Sequence, residues 1–393
     1  MGCEFSIDSK KLKEMTQFVT KALANIEEAF VLFDVKTKGV IMKAGCKGHW
    51  TEQLAKALVI TPGKIVLPLE LLTLYSFAGK ETIFKVKKES DGINDLHIKS
   101  GRFHLDTAVS SDPKTVLEHA PEKIPLTHAF NLKDFALGLN QSSFDAITTE
   151  GSTVEKAIKI KVVNKKFVII TQDSYRGSVF KSDVECKGKD FVLKANFDSI
   201  LKVINMLTTD SKNKENIEFG HNESHVRIKG KTKDFQCPLQ AGEVMDVEET
   251  IDTLSRTEPE SFFHAKTKEF RGAFVEISKT SKLENSREIP MIMTIVKDKN
   301  RKSKKAPPKD LLYIVARARA VQANFDIDVT SIVKDCEFIV SNVILDAALG
   351  LDGVLQVNIY PKLVMVESLD YSMKFVLPQL SKDEVINYEK GKN

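Results

Sequence analysis

One pattern occurs three times along this chain of 393 residues: strand, amphipathic helix, hairpins, a second strand with its own helix, and more hairpins. The three first steps open at Phe5-Ser-Ile-Asp, Ala129-Phe-Asn-Leu and Phe262-Phe-His-Ala. Behind them come Leu12, Met15, Phe18, Val19 and Ala22, then Leu132, Phe135 and Leu139, then Phe270, Ala273, Phe274 and Ile277. Their i, i+3, i+4, i+7 spacing is that of helices with one buried stripe. The second steps are Ile65-Val-Leu-Pro before Leu71, Leu74 and Tyr75, Phe191-Val-Leu before Phe197, Ile200, Leu201 and Ile204, and Phe338-Ile-Val before Val343, Ile344 and Ala347. The two steps lie 60 residues apart from Phe5, 61 from Phe130 and 75 from Phe263. The excess in the third matches the polar, basic run Lys297–Lys309, which reads as an enlarged hairpin loop. Repeats this long are whole domains, since solenoid units are much shorter.

Outside the helices nearly every segment alternates with period two, as in Ile83–Val86, Phe167–Thr171 and Met291–Val296. Two helices per repeat on one side of antiparallel sheets is an α+β layout, three tandem copies of one domain. The periodicity lapses at Asp112–Pro125 and at the acidic stretch Glu243–Pro259, which read as extended joints. The expected domains are 1–122, 123–250 and 251–380, with a tail at 381–393.

A hydrophobic content of 42% beside 28% charged residues suffices for several cores. No apolar run approaches the roughly 18 residues of a membrane helix, and no secretory leader is expected, because Phe5 and Ile7 alternate with polar residues. Met1-Gly2-Cys3 fits the loose N-myristoylation pattern, but a first strand through Phe5 and Ile7 is the preferred reading. The five cysteines, Cys3, Cys46, Cys186, Cys237 and Cys336, are isolated, which fits reduced and mostly buried thiols in a cytoplasmic protein. His49, between Gly48 and Trp50, reads as an ordinary strand or turn residue in preference to a metal ligand. The chain has no Gly-rich phosphate loop, GxSxG, HExxH or DxDxDG, so no catalytic residue, metal or cofactor is assigned.

The helices do carry cations: Lys10, Lys11, Lys13 and Lys21 on the first, Lys133 and Lys202 in the middle repeat, and Lys266, Lys268, Arg271 and Lys279 on the fifth. On one helix such residues are ordinarily a solvated face. The repeat places them equivalently, however, and a shared surface of this kind suits phosphates, with contacts that are salt-sensitive and blind to sequence.

Several segments, in this order inside a threefold repeat, carry a resemblance: Ser100-Gly-Arg-Phe-His-Leu-Asp-Thr, Thr171-Gln-Asp-Ser-Tyr-Arg-Gly, Phe338-Ile-Val-Ser-Asn and Phe375-Val-Leu-Pro-Gln-Leu. The chain resembles the β sliding clamps of bacterial-type replicases, the beta subunits of DNA polymerase III, over essentially its whole length. Its divergence is like that of a phage or mobile-element version. The resemblance implies a homodimeric ring, closed head to tail, with helices lining a hole around double-stranded DNA. It also implies a replicative DNA polymerase and a clamp loader as partners. Such a ring needs no base readout, and it turns polymerase dissociation into tethered rebinding.

In that family clients insert a short apolar peptide into a cleft between domains two and three. Carried over by motif, the cleft draws on Thr171, Tyr175, Arg176, Gly177, Met245, Asn342, Leu363, Val376, Leu377, Pro378 and Leu380. Gly177, where the family has leucine, is expected to deepen or soften the pocket, and the extra tail could fold across it. Charged residues at Leu377 and Pro378 are expected to abolish polymerase stimulation while leaving the fold intact. Ring closure would use an edge strand around Phe103, with Ile277 as apolar anchor. The neighbouring Ser278-Lys279-Thr280 is polar, so the expected dimer is weak or salt-dependent. Two other readings stay open: a DNA-binding protein that does not encircle its ligand, and an enzyme whose site residues are dispersed beyond recognition.

Overall fold

The computed structural model describes residues 2–23, 29–75, 77–88, 93–110, 112–142, 157–172, 177–210, 215–239, 247–283, 289–296, 310–317, 322–330, 332, 334–342, 351, 353–370 and 372–389. The first repeat runs β1 (Cys3–Asp8), α1 (Ser9–Ala22), β2 (Phe30–Lys36), β3 (Gly39–Cys46), β4 (His49–Ala55), β5 (Leu58–Thr61), β6 (Gly63–Pro68), α2 (Leu69–Leu74), β7 (Glu81–Lys88), β8 (Ile93–Ser100) and β9 (Phe103–Ser110). A short helix α3 (Lys114–Leu117) follows. The second runs β10 (His128–Asn131), α4 (Leu132–Gln141), β11 (Ala157–Val163), β12 (Lys166–Gln172), β13 (Gly177–Glu185), β14 (Phe191–Asn196), α5 (Phe197–Asp210), β15 (Asn216–His221), β16 (His225–Lys229) and β17 (Lys233–Pro238). After a helix α6 (Val247–Arg256), the third runs β18 (Ser261–Lys266), α7 (Thr267–Leu283), β19 (Pro290–Val296), β20 (Asp310–Arg317), β21 (Gln322–Thr330), β22 (Cys336–Ser341), β23 (Val354–Ile359), β24 (Leu363–Ser368) and β25 (Met373–Pro378), and α8 (Lys382–Glu389) closes the chain. The expected helix at Val343, Ile344 and Ala347 and the basic loop Lys297–Lys309 lie outside the described residues. The fold is α+β and sheet-rich, and the described parts of its three repeats follow a similar order of elements.

Each repeat opens on a strand with a buried phenylalanine, and a helix begins where that strand stops. Asp8 caps α1 by accepting from the Lys11 amide at 2.9 Å, and Asn131 caps α4 by accepting from the Asp134 amide at 3.0 Å. Such a cap satisfies one orphan donor of the first helical turn. Phe5 packs on Phe33 and Phe84 at 5.7 and 4.9 Å, and Phe130 on Phe135 and Phe219 at 5.2 Å each. Burying one such ring stabilises by roughly 1.5–3 kcal/mol.

The chain divides into two compact units. The first comprises Met1–Ala136, Cys186–Lys189 and Ala195–Gln240. It holds a five-stranded sheet, β5-β1-β7-β8-β9, and an eight-stranded sheet, β10-β15-β16-β17-β4-β3-β2-β6. In the eight-stranded sheet β17, the last strand of repeat two, pairs antiparallel with β4 of repeat one, from Lys233↔Gln53 to Gln236↔Trp50. Arg227, 7% exposed, donates to Asp234 and to the Ile124 carbonyl, and Gln236 donates to the Glu122 carbonyl at 3.0 Å, fixing the joint before repeat two.

The second compact unit comprises Leu137–Glu185, Asp190–Lys194 and Ala241–Asn393. Its twelve-stranded sheet runs β14-β11-β12-β13-β25-β24-β23-β18-β21-β20-β19-β22. Here β25, the last strand of repeat three, pairs with β13 of repeat two, from Gly177↔Val376 to Phe180↔Met373. The joint between repeats two and three was expected to be extended. The structure instead forms α6 over Val247–Arg256, because Val247, Ile251 and Leu254 at i, i+4 and i+7 dock on a sheet.

Candidate functional site

The residues carried over for a client cleft lie along the β13–β25–β24 seam in the second compact unit, and strand alternation divides them between two faces. Register puts Gly177 opposite Val376, Met365 opposite Val376, and Leu363 opposite Pro378, so these five share a face. On that face Val168, Ile170, Val179, Met365 and Val376 form an apolar bed with Ile251 of α6, and Val247, Leu254 and Leu363 pack against it. Gly177 belongs to this contact: a Cβ there would lie 2.2 Å from Cγ1 of Val247. The missing side chain thus makes room for α6 and leaves no deepened pocket at that point.

Polar groups fix α6 at its edges. The Lys161 ammonium meets both oxygens of Glu248, at 2.6 and 2.5 Å, and Lys374 donates to the Ser255 hydroxyl at 2.8 Å. The Tyr360 hydroxyl donates to the Leu254 carbonyl at 2.9 Å, and burial, with Glu367 nearby, pushes that phenol up to about 12. Glu367 is 4% exposed and accepts from Asn358 at 2.7 Å and from Gln356 at 3.2 Å, with Lys374 at 3.5 Å.

The other cleft residues have different roles. Thr171 is buried on the opposite face, donates to the Ser142 carbonyl at 2.8 Å and bonds Ser178 at 2.6 Å. Leu377 is 5% exposed and also points inward, so a charge there would strike the core, contrary to the expectation that the fold would tolerate it. The Asn342 side chain accepts from the Ile289 amide at 2.9 Å, which occupies it structurally. Leu380 donates its amide to Ile339 at 2.8 Å, and beyond it Lys382 pairs with Glu337 at 3.4 Å. The tail therefore anchors beside β22. Tyr175, Arg176 and Met245 lie outside the described residues.

The helix cations fall into register. Counting from each helix start, Lys10 of α1, Lys133 of α4 and Lys268 of α7 occupy the same position, and all three are exposed. Lys13 and Arg271 are a second matched, exposed pair, and Lys202 and Lys266 are exposed as well. Lys11 is half-buried and bonds Glu14 at 3.1 Å, while Lys279 bonds Glu276 at 2.8 Å, so these two are partly neutralised. Phe103, on the edge strand β9, packs against Tyr75 and Phe77 at 5.2 and 6.0 Å, beside exposed Leu74. Ile277 is 1% exposed and belongs to the core of its own repeat, whereas Val275 of the same helix is exposed. Among the described residues no His, Cys, Asp and Glu side chains group as a metal site would require.

Solved structures share this architecture from end to end. The DNA polymerase sliding clamp from Bacillus subtilis superposes with a TM-score of 0.75 at 16% identity, over 97% of this chain and 100% of that one. The DNA polymerase beta subunit of Streptococcus pyogenes gives 0.74 at 15% identity, over 96% and 100%. The DNA polymerase III beta subunit of Thermotoga maritima gives 0.74 at 13%, over 96% and 99%. The fold is that of the beta-subunit sliding clamps, and the resemblance read from the sequence is borne out at that level. No protein-family model matches the chain. A stretch of 113 residues is 34% identical to the tRNA uridine 5-carboxymethylaminomethyl modification enzyme MnmG of Thermodesulfovibrio yellowstonii, covering 28% of this chain and 17% of that enzyme's length. Among the described residues no helix is long and apolar enough to cross a membrane.

Proposed function

We propose that this chain is a DNA sliding clamp, a processivity factor that closes into a ring around duplex DNA and tethers a polymerase, without chemistry of its own. The observation that carries the reading is the seam rule inside the chain. The last strand of repeat two pairs with β4 of repeat one, and the last strand of repeat three with β13 of repeat two. By the same rule β9, the last strand of repeat one, needs the counterpart of β4 and β13 in repeat three, which is β21. Among the described residues β9 pairs only with β8. Among the described residues β21 pairs along Gln322–Asp328 only with β20, because β18 meets it only at Val329 and Thr330. Two complementary open edges at opposite ends of one rule are what a head-to-tail dimer uses, and a closed ring leaves neither exposed to aggregation.

The equivalent placement of Lys10, Lys133 and Lys268 supports phosphate contacts without base readout, as a sliding ring requires. On this reading a clamp loader places the ring, the polymerase docks on the repeat two–repeat three seam, and the protein works in the cytoplasm. The test is mass and topology together. In light scattering the chain should weigh twice 44.0 kDa, and loaded protein should stay on a nicked circle and leave the same DNA once it is linearised. Equal retention on both forms would replace the clamp by a DNA-binding protein that does not encircle its ligand.

A further inference from the structure

We propose that α6 is an internal occupant of the seam groove, and that the groove's external partners are acidic segments with aliphatic anchors, which must displace α6 to bind. The function given to the groove rests on the client reading; its occupancy by α6 rests on the contacts of that helix alone. The groove floor is mainly aliphatic or thioether, made by Val168, Ile170, Val179, Met365 and Val376, with Tyr360 as its aromatic member. Into it α6 lays Val247, Ile251 and Leu254, the i, i+4, i+7 anchors by which a helix fills a groove. Lysines stand on the rim: Lys161 holds Glu248 and Lys374 holds Ser255, while Glu249 and Asp252 face outward. The occupant therefore reports what the groove selects, an apolar stripe with a carboxylate beside it at the Lys161 rim.

Displacement is within reach of this helix. A run of ten residues is marginal as a helix on its own, so α6 depends on docking, and Ile251 is its one fully buried side chain. A tethered segment competes at an effective concentration of order millimolar. An external segment then sees only the fraction of molecules whose groove is open, and its apparent affinity falls by that fraction.

The probe is a fluorescein-labelled peptide with the sequence of residues 247–256, titrated by anisotropy against the full chain. If the groove is open in a tenth of molecules or fewer, Ile251→Asp/Leu254→Asp, which disables the internal competitor, should bind it at least about tenfold more tightly than wild type. Adding Val376→Asp to that variant should abolish the gain. Equal affinity of wild type and the double variant, both folded by thermal melts, overturns the proposal. Hydrogen exchange on the unmodified chain gives a readout that needs no variant: saturating peptide should accelerate exchange of the amides at 250–256 while β13 and β25 stay protected, and unchanged rates there overturn it equally. Tighter peptide binding in the double variant with no response in DNA polymerase stimulation would uphold the occupancy and remove the client reading.

Discussion

Gly177 shows how a single atom can decide a contact. Its neighbour across the groove is Val247, and a Cβ would sit 2.2 Å from that side chain. Gly177→Val should push the first turn of α6 off the sheet, at an overpacking cost of about 1–3 kcal/mol, read as a lower melting temperature and faster exchange at 248–252. Leu377 offers the contrast: Leu377→Asp should lower the melting temperature much further than Pro378→Asp, because only the first buries a charge. The thiols follow the same logic. Burial pushes Cys237 up to about 12 and Cys3 up to about 11, so neither should react with a thiol reagent at neutral pH until the chain unfolds. That the cysteines would be buried and unpaired was legible in their spacing, and four of the five are buried. Why a glycine stands at 177 was not legible, because its reason lies seventy residues further along the chain.

At the scale of elements, the helices with strong apolar stripes were readable from spacing alone: α4 and α5 begin at the first residue of their stripes, Leu132 and Phe197, and α1 and α7 begin three residues before theirs, Leu12 and Phe270. The reading failed at α6. Three apolar residues among Glu248, Glu249 and Asp252 look like a linker until a partner surface exists for them, and that surface is made by strands from both ends of the unit. α6 also carries a titration. Tyr360 has an ordinary value of 10 and is held near 12 in the folded chain, first by burial and then by Glu367. An acid whose folded value is raised keeps its proton longer in the folded state, so its contribution is full below 10 and is lost as pH rises from 10 to 12. The hydroxyl that donates to Leu254 disappears over the same window. Loss of α6 protection should track a Tyr360 phenolate signal at 295 nm, and Tyr360→Phe should remove that alkaline step.

For the whole molecule, the threefold repeat was the part of the sequence that fixed the architecture, since equal spacing of like motifs survives the loss of residue identity. The split of the cleft residues between two sheet faces was invisible, because motif matching aligns positions along the chain and ignores which way each side chain points. Neutralising Lys10, Lys13, Lys266 and Arg271 together should weaken DNA interaction evenly across sequences and flatten its salt dependence, slowing loading more than it shortens residence on a closed circle. Loss of preference for one DNA sequence over another in that variant would contradict the clamp reading. Phe103→Asp, which breaks the aromatic cluster with Tyr75 and Phe77 beside the open edge, should leave particles of 44.0 kDa in light scattering while the chain still melts cooperatively at a somewhat lower temperature.

The seams also differ in connectivity. The β17–β4 and β25–β13 pairings join strands of one polypeptide, so they re-form after opening however dilute the solution. In the proposed ring, a seam of the same design between β9 and the β21 of another copy would have no such leash once both seams of the pair had parted. Dilution would therefore act on the seams between copies alone, and the concentration at which half the chains are free would read out, in one number, the strength of joints whose two siblings can be opened only by unfolding. A cell would then set the share of chains paired in rings simply by how much of the chain it makes.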